Sequence, residues 1–440
     1  MNIRADELIL YRDFEDDIFP VMAQIANTYD QECKDRREEI SDVYHCINEL
    51  VKIARSHGFS GNLWQGYLTY ILTTNENAFS MSCEKRGAIE GSLNELACHD
   101  LQIFYEAYHM DWKKVENALG IHFLSLIVDY KADQNSGVVY SDVICERIAR
   151  LNGELSAAKD VNEMYRAVTE FYHDYGVGKY GLYRAFKITE TGREEANIVP
   201  ITRTEDVFLK DLVGYDIQKE KLTANTEAFV RRERANNVLL YGDSGTGKST
   251  SIKAILNEYY KEGLRMIEIY KHQFREIPDV IAQIKNRNYR YILYMDDLSF
   301  EEFETDYKYL KAVIEGGLEP KPDNVLIYAT SNRRHLIRET WAERKQNSED
   351  VHGGDSMQEK LSLATRFGES IYFGSPDQEG YLKIVLELAK RYGVDIDEED
   401  LREEAVKWEM RHGGLSGRTA QQFINHLCGS IAIDQEENSH

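Results

Sequence analysis

The chain has 440 residues, 42% of them apolar, with 76 acidic and 53 basic side chains and a formal net charge of -23. That length leaves room for about three domains with sizeable cores. The charge excludes broad electrostatic attraction to nucleic acid or an anionic membrane, both of which need basic surface, while leaving room for a local basic patch.

The opening Met-Asn-Ile-Arg-Ala-Asp-Glu-Leu lacks the apolar run of a secretory leader, and no stretch is long and apolar enough to span a bilayer. The six cysteines, Cys33, Cys46, Cys83, Cys98, Cys145 and Cys428, contain no Cys-x-x-Cys pair. They read as reduced thiols of a cytoplasmic protein. Residues 1–200 read as a mostly helical domain. Phe14, Ile18, Met22 and Ile25 share one helical face, with Pro20 expected to break or kink it. Ile40–Ala54 and Leu93–Tyr108 repeat the helical spacing. The many tyrosines read as a helical core with amphipathic edges; a partner-binding surface is the alternative.

Residues 176–181 match Gly-x-Gly-x-x-Gly, but a helical pattern precedes them and the strand-like run Leu182–Ile188 follows. A dinucleotide fingerprint needs the opposite order, so this is a helix-ending turn. Residues 189–206 are polar and turn-rich, a candidate linker. From 211 onward short apolar runs at 238–241, 264–269, 291–295, 325–330 and 371–373 alternate with helical patterns. This predicts an α/β core over 207–375, a parallel sheet covered by helices, and a small helical lid over 376–440.

Residues 242–249, Gly-Asp-Ser-Gly-Thr-Gly-Lys-Ser, fit the phosphate-binding loop pattern at every fixed position. Gly242, Gly245 and Gly247 let the backbone turn tightly, so that the N–H groups of Asp243, Ser244, Thr246 and Thr250 and their neighbours can surround phosphate oxygens. Lys248 can reach the β- and γ-phosphates, and Ser249 offers a hydroxyl to Mg²⁺. An apolar strand pattern precedes the loop and a helical one follows, as a phosphate site at a helix N-terminus requires.

Further on, Tyr291–Met295 is an apolar strand ending in Asp296 and Asp297. The first acid is positioned to hold Mg²⁺ through water and the second to orient attacking water. Val325–Ser331 is another buried strand, ending at Asn332, which is expected near the γ-phosphate. Arg366 precedes the last strand and Arg418 opens a lid helix. Two arginines in this order read as phosphate sensors.

The order of loop, Asp296-Asp297, Asn332, Arg366 and Arg418 resembles the AAA+ P-loop ATPases over roughly residues 207–433. Runs such as Asp211-Leu212-Val213-Gly214-Tyr215, Gly263–Glu268, Asp296–Glu301 and Ala329–Leu336 are similar to those of an uncharacterised bacterial family of predicted AAA+ ATP-binding proteins. Helicase-loader ATPases are more distantly similar. The resemblance implies that Asn332 is a first sensor, Arg366 an arginine finger and Arg418 a second sensor. It also implies that Val213 and Gly214 lie beside the adenine, that ATP and Mg²⁺ are bound, and that the protein is a homo-oligomer. One departure stands out: most active AAA+ enzymes carry Asp-Glu where this chain has Asp296-Asp297, an acid shorter by about 1.5 Å.

These residues lead to an oligomeric Mg-dependent ATPase that remodels a protein client. The alternatives are a nucleotide-gated switch or loader with little hydrolysis, and a nucleic-acid-associated ATPase using Arg287, Arg290, Arg333, Arg334, His335 and Arg338 as a basic patch. A small-molecule kinase fits the sensor residues less well. Residues 1–200 carry no catalytic constellation and are expected to bind the client or support assembly.

Overall fold

The computed structural model describes residues 3–14, 16–31, 36–88, 90–132, 142–189, 196–300, 306–315, 321–332 and 363–437. The chain divides into two units, Met1–Arg184 with Pro200–Arg203, and Ala185–Val199 with Thr204–His440.

Apolar residues at helical spacing make the first unit helical, as predicted. Its helices are α1 (Ile18–Thr28), α2 (Arg37–His57), α3 (Leu63–Thr74), α4 (Ala78–Arg86), α5 (Ser92–Tyr108), α6 (Trp112–Leu119), α7 (Leu124–Val128), α8 (Asp142–Ala157), α9 (Val161–Tyr175) and α10 (Gly178–Leu182). Side chains mark where several begin: Asn62, Asn77, Asp111 and Asp160 accept hydrogen bonds from first-turn N–H groups. Pro20 does not break α1. It lies in the first turn, where its missing N–H forfeits no intrahelical bond. The Gly-x-Gly-x-x-Gly run does end a helix: Gly176 caps α9, and the short α10 follows.

The core of this unit is aromatic. Phe19 stacks on Phe104 at 5.3 Å, and Trp64 meets Trp112 edge-on at 5.1 Å. Tyr11 and Tyr172 share a buried hydrogen bond of 2.8 Å between their hydroxyls, so part of the tyrosine content is core. Asp100 is fully buried on α5 and accepts the backbone N–H groups of Ile9, Leu10 and Tyr11 at 2.7–3.1 Å. A buried carboxylate this well satisfied holds the segment ahead of α1 in place. Asp100→Ala is expected to cost about 3 kcal/mol by stranding these donors. A urea titration of the full chain checks this, and an unchanged midpoint would remove Asp100 from the account of stability.

The second unit is built on one sheet. Its strands are β1 (Ala185–Thr189), β2 (Asn197–Pro200), β3 (Val238–Gly242), β4 (Leu264–Glu268), β5 (Arg290–Met295), β6 (Val325–Ser331) and β7 (Glu369–Phe373). They lie in the order β2-β1-β4-β5-β6-β3-β7, and every pairing from β1 to β7 along that order is parallel. Central strands buried on both faces need continuous apolar runs, and all seven residues of β6 are buried. The intervening helices are α11 (Asp216–Val230), α12 (Lys248–Tyr259), α13 (Ile277–Ile284) and α14 (Tyr307–Glu315). The fold is the expected α/β core, a parallel sheet covered by helices with the glycine-rich loop following β3. β1, which takes up most of the strand-like run Leu182–Ile188, and β2, which falls in the span read as linker, extend this sheet. The polar run 190–195 between them lies outside the described residues.

Past Pro376 come α15 (Gln378–Tyr392), α16 (Glu398–His412) and α17 (Gly417–Glu437). They share a small core that includes Tyr381, Val385, Leu401, Phe423 and Ile424.

Candidate functional site

β3 ends at Gly242, and the chain turns through Asp243–Gly247 into α12, which starts at Lys248. The sheet dictates the first glycine: at φ 135°, a Cβ on residue 242 would collide with the Phe373 carbonyl of β7. Gly247 is constrained mainly by its left-handed backbone. At φ 90°, a Cβ there would lie 2.7 Å from Leu212 Cδ2. Thr246 Oγ1 closes the turn by donating to the Asp243 carbonyl at 2.8 Å. Lys248 Nζ folds back over the loop and donates to the carbonyls of Gly242 (3.0 Å) and Asp243 (2.5 Å). Burial pushes this ammonium's pKa down, against the pull of Asp243, Asp297 and Asp296.

The acids leave the end of β5 beside this loop. Asp296 Oδ1 accepts two hydroxyls, Ser249 Oγ at 2.7 Å and Thr330 Oγ1 at 2.6 Å. Burial works against its charge, yet these bonds hold the carboxyl below the usual carboxylate range. Thr330 Oγ1 in turn accepts the Asp297 N–H at 2.9 Å. Asp297 has φ 48°, a left-handed backbone that aspartate and asparagine tolerate better than most residues. Asn332 Nδ2 donates to Asp297 Oδ1 at 2.8 Å. A continuous set of hydrogen bonds therefore runs from Ser249 through Asp296 and Thr330 to Asp297 and Asn332.

These groups border a cleft of about 740 Å³ at the carboxyl ends of the strands. The predicted residues Ser244 to Thr250, Asp296, Asp297, Asn332, Arg418 and Val213 all line it. The Arg418 N–H donates to the Gly245 carbonyl at 3.2 Å, so the start of α17 meets the loop directly. Gly214, Gly242 and Asp243 are not among the lining residues. The Asp243 carboxylate instead accepts the Ser375 N–H at 2.8 Å, which lowers its pKa and ties the loop to the segment after β7. Arg366 also stands apart from the lining; its Nε donates to Glu315 Oε1 at the end of α14.

Sequence reasoning missed several lining residues. Thr330 was legible in principle, since the two-residue period of β6 puts it on the side of Asn332. Ile384, Leu388 and Arg391 follow one face of α15. Arg391 also reaches Asp211, with Nη2 at 3.2 Å from its carbonyl and 3.4 Å from Oδ1. No local signal announces a contact 180 positions away.

The proposed basic patch is not supported by its described members. Arg287 is buried, and Arg290 lies over the Phe229 ring while donating to the Asp323 carbonyl. Arg333, Arg334, His335 and Arg338 lie outside the described residues, as does Glu301.

Residues 182–431 match a family described as "Protein of unknown function (DUF815)". Over 76 residues, the chain is 37% identical to the replication factor C large subunit of Methanococcus vannielii, covering 17% of this chain and 15% of that protein. Among solved structures, the Thermotoga maritima RuvB Holliday junction branch migration motor is similar at 16% identity and a TM-score of 0.36, over 52% of this chain and 66% of that one. The chain thus spans less than two thirds of the length of either relative.

Proposed function

The chain belongs to the DUF815 family of proteins of unknown function, and we propose that it binds ATP with Mg²⁺ and hydrolyses it, coupling the nucleotide state to remodelling of a protein partner. The observation that carries this reading is the hydrogen-bonded set joining Ser249, Asp296, Thr330, Asp297 and Asn332 at the mouth of a phosphate loop.

The residues fit the ligands. A hydroxyl and a carboxylate, Ser249 and Asp296, are the hard oxygen donors that Mg²⁺ takes. The loop N–H groups and Lys248 suit the phosphates, and a cleft of about 740 Å³ is of the size that holds a nucleotide. Val213, with Ile384 and Leu388, supplies the apolar surroundings a base needs, and Gly214 sits next to it in the chain. Bound Mg²⁺ would neutralise charge on the phosphate oxygens. Asp297 orients the attacking water, and Asn332 holds that carboxylate and faces the γ-phosphate. Arg418 contributes positive charge from the lid, residues 376–440. Arg366 serves a neighbouring subunit of a homo-oligomer, and residues 1–200 engage an unidentified protein client in the cytoplasm.

Lys248→Ala tests the foundation. Losing one ammonium and its charged hydrogen bonds is worth about 3 kcal/mol, or about 100-fold in ATP affinity by calorimetry, with an unchanged circular dichroism spectrum. Equal affinities in the two proteins would remove the nucleotide reading.

A second reading, a nucleotide-gated switch with little hydrolysis, draws support from one contact. The Asn332 amide already occupies Oδ1 of the shorter acid, Asp297, that must orient water. Tight ATP binding without phosphate release by the wild type would favour it.

A further inference from the structure

Tyr294 lies on β5 two residues before Asp296, so both side chains leave the same face of the strand. Its register partner on β4 is Glu268. The residue is 3% exposed, and its hydroxyl is buried with no hydrogen-bond partner. Asp296 and Ser249 lie beside that hydroxyl within reach of weak hydrogen bonds, although neither bond attains full hydrogen-bond geometry.

A buried, unmet hydroxyl costs about 1–3 kcal/mol, and phenylalanine would fill the same space without that cost. The neighbouring carboxylate offers a reason for keeping it. Oδ1 of Asp296 is already taken by two hydroxyl donors, Ser249 and Thr330. Tyr294 is a third donor beside the same carboxylate, with one proton to give and no well-formed bond to give it to.

We propose that Tyr294 is a positioning residue for the metal: when Mg²⁺ and nucleotide engage Ser249 and Asp296, the Tyr294 hydroxyl donates to the Asp296 carboxylate and fixes its orientation. The inference rests on the Mg-nucleotide reading above and adds to it a residue outside the cleft lining. Partners of this kind, one shell beyond a metal ligand, are typically worth about 10–100-fold in metal affinity. The weak bond tightens once the metal fixes the carboxylate, so removing the hydroxyl should weaken Mg²⁺ binding far more than it alters the fold.

Tyr294→Phe in the full-length protein is the test. Three quantities are compared with wild type: the thermal midpoint without nucleotide, the affinity for a non-hydrolysable ATP analogue in EDTA, and the Mg²⁺ concentration that half-maximally enhances analogue binding. The expected result is a midpoint that is unchanged or raised, an unchanged affinity in EDTA, and a Mg²⁺ requirement increased about 10-fold. An unchanged Mg²⁺ requirement, beside a wild type that shows the enhancement, overturns the role of Tyr294 alone. A strongly lowered midpoint beside an unchanged Mg²⁺ requirement also overturns it, because the hydroxyl then serves the fold and not the metal. A wild type that binds no analogue, or binds it without regard to Mg²⁺, overturns the nucleotide reading itself and Tyr294 with it.

Discussion

Arg366→Ala protein should lose about 10³-fold or more of its ATP turnover, and recover much of it when mixed with Lys248→Ala protein. Arg366 does not line the cleft of its own chain; it is paired with Glu315. If it stabilises charge on a γ-phosphate, that phosphate belongs to a neighbour, and the ion pair with Glu315 must be exchanged for it on assembly. A half-exposed pair of this kind contributes little to the fold, so the variant should fold normally. Each variant alone then lacks one half of a composite site, while mixed assemblies contain junctions with an intact loop facing an intact arginine. Phosphate release measured across mixing ratios checks this. Additive rates, together with a monomeric mass in ATP, would falsify the proposal that Arg366 acts across subunits.

Asp297→Asn should bind ATP within a few-fold of wild type yet hydrolyse it about 10²–10⁴-fold more slowly, the usual range for losing a positioned acid–base group. The substitution isolates charge unusually well. Asparagine is the other residue at ease at the φ of 48° found here, so the backbone has no cause to move. Its side-chain oxygen can still accept from Asn332, so the sensor keeps its partner. The Asp297 N–H bond to Thr330 is untouched. What disappears is the negative charge that polarises water. Phosphate release equal to wild type would assign the water to another group.

The parts legible in the sequence are those written contiguously. The phosphate loop is eight consecutive residues whose glycines answer to local geometry, and each core strand is a short apolar run. Pro20 misled because proline is a breaker only inside a helix, and nothing near it shows that the helix starts at Ile18. β1 was legible as the strand-like run Leu182–Ile188, though not as a member of the core sheet, whereas β2 hid because the chain around it is polar and turn-rich and resembled a linker. The site itself was half legible. Asp296 and Asn332 announce themselves at strand ends, whereas the Thr330 link between Asp296 and Asp297 depends on how β5 and β6 pair. Leu212 is worse still: its contact over Gly247 joins two segments through packing alone.

The position of β3 has a consequence for synthesis. This strand carries the phosphate loop, yet its two neighbours, β6 and β7, are both encoded after it, starting at Val325 and Glu369. As the chain leaves the ribosome, β3 emerges with no partner strand and waits for more than 80 residues for the first. The Phe373 carbonyl, which packs over Gly242 and accepts the Asp243 N–H, arrives later still. Closing loops of that length costs chain entropy before any pairing repays it. Translation therefore delivers the segment that holds the phosphates early, but the floor it stands on comes almost last.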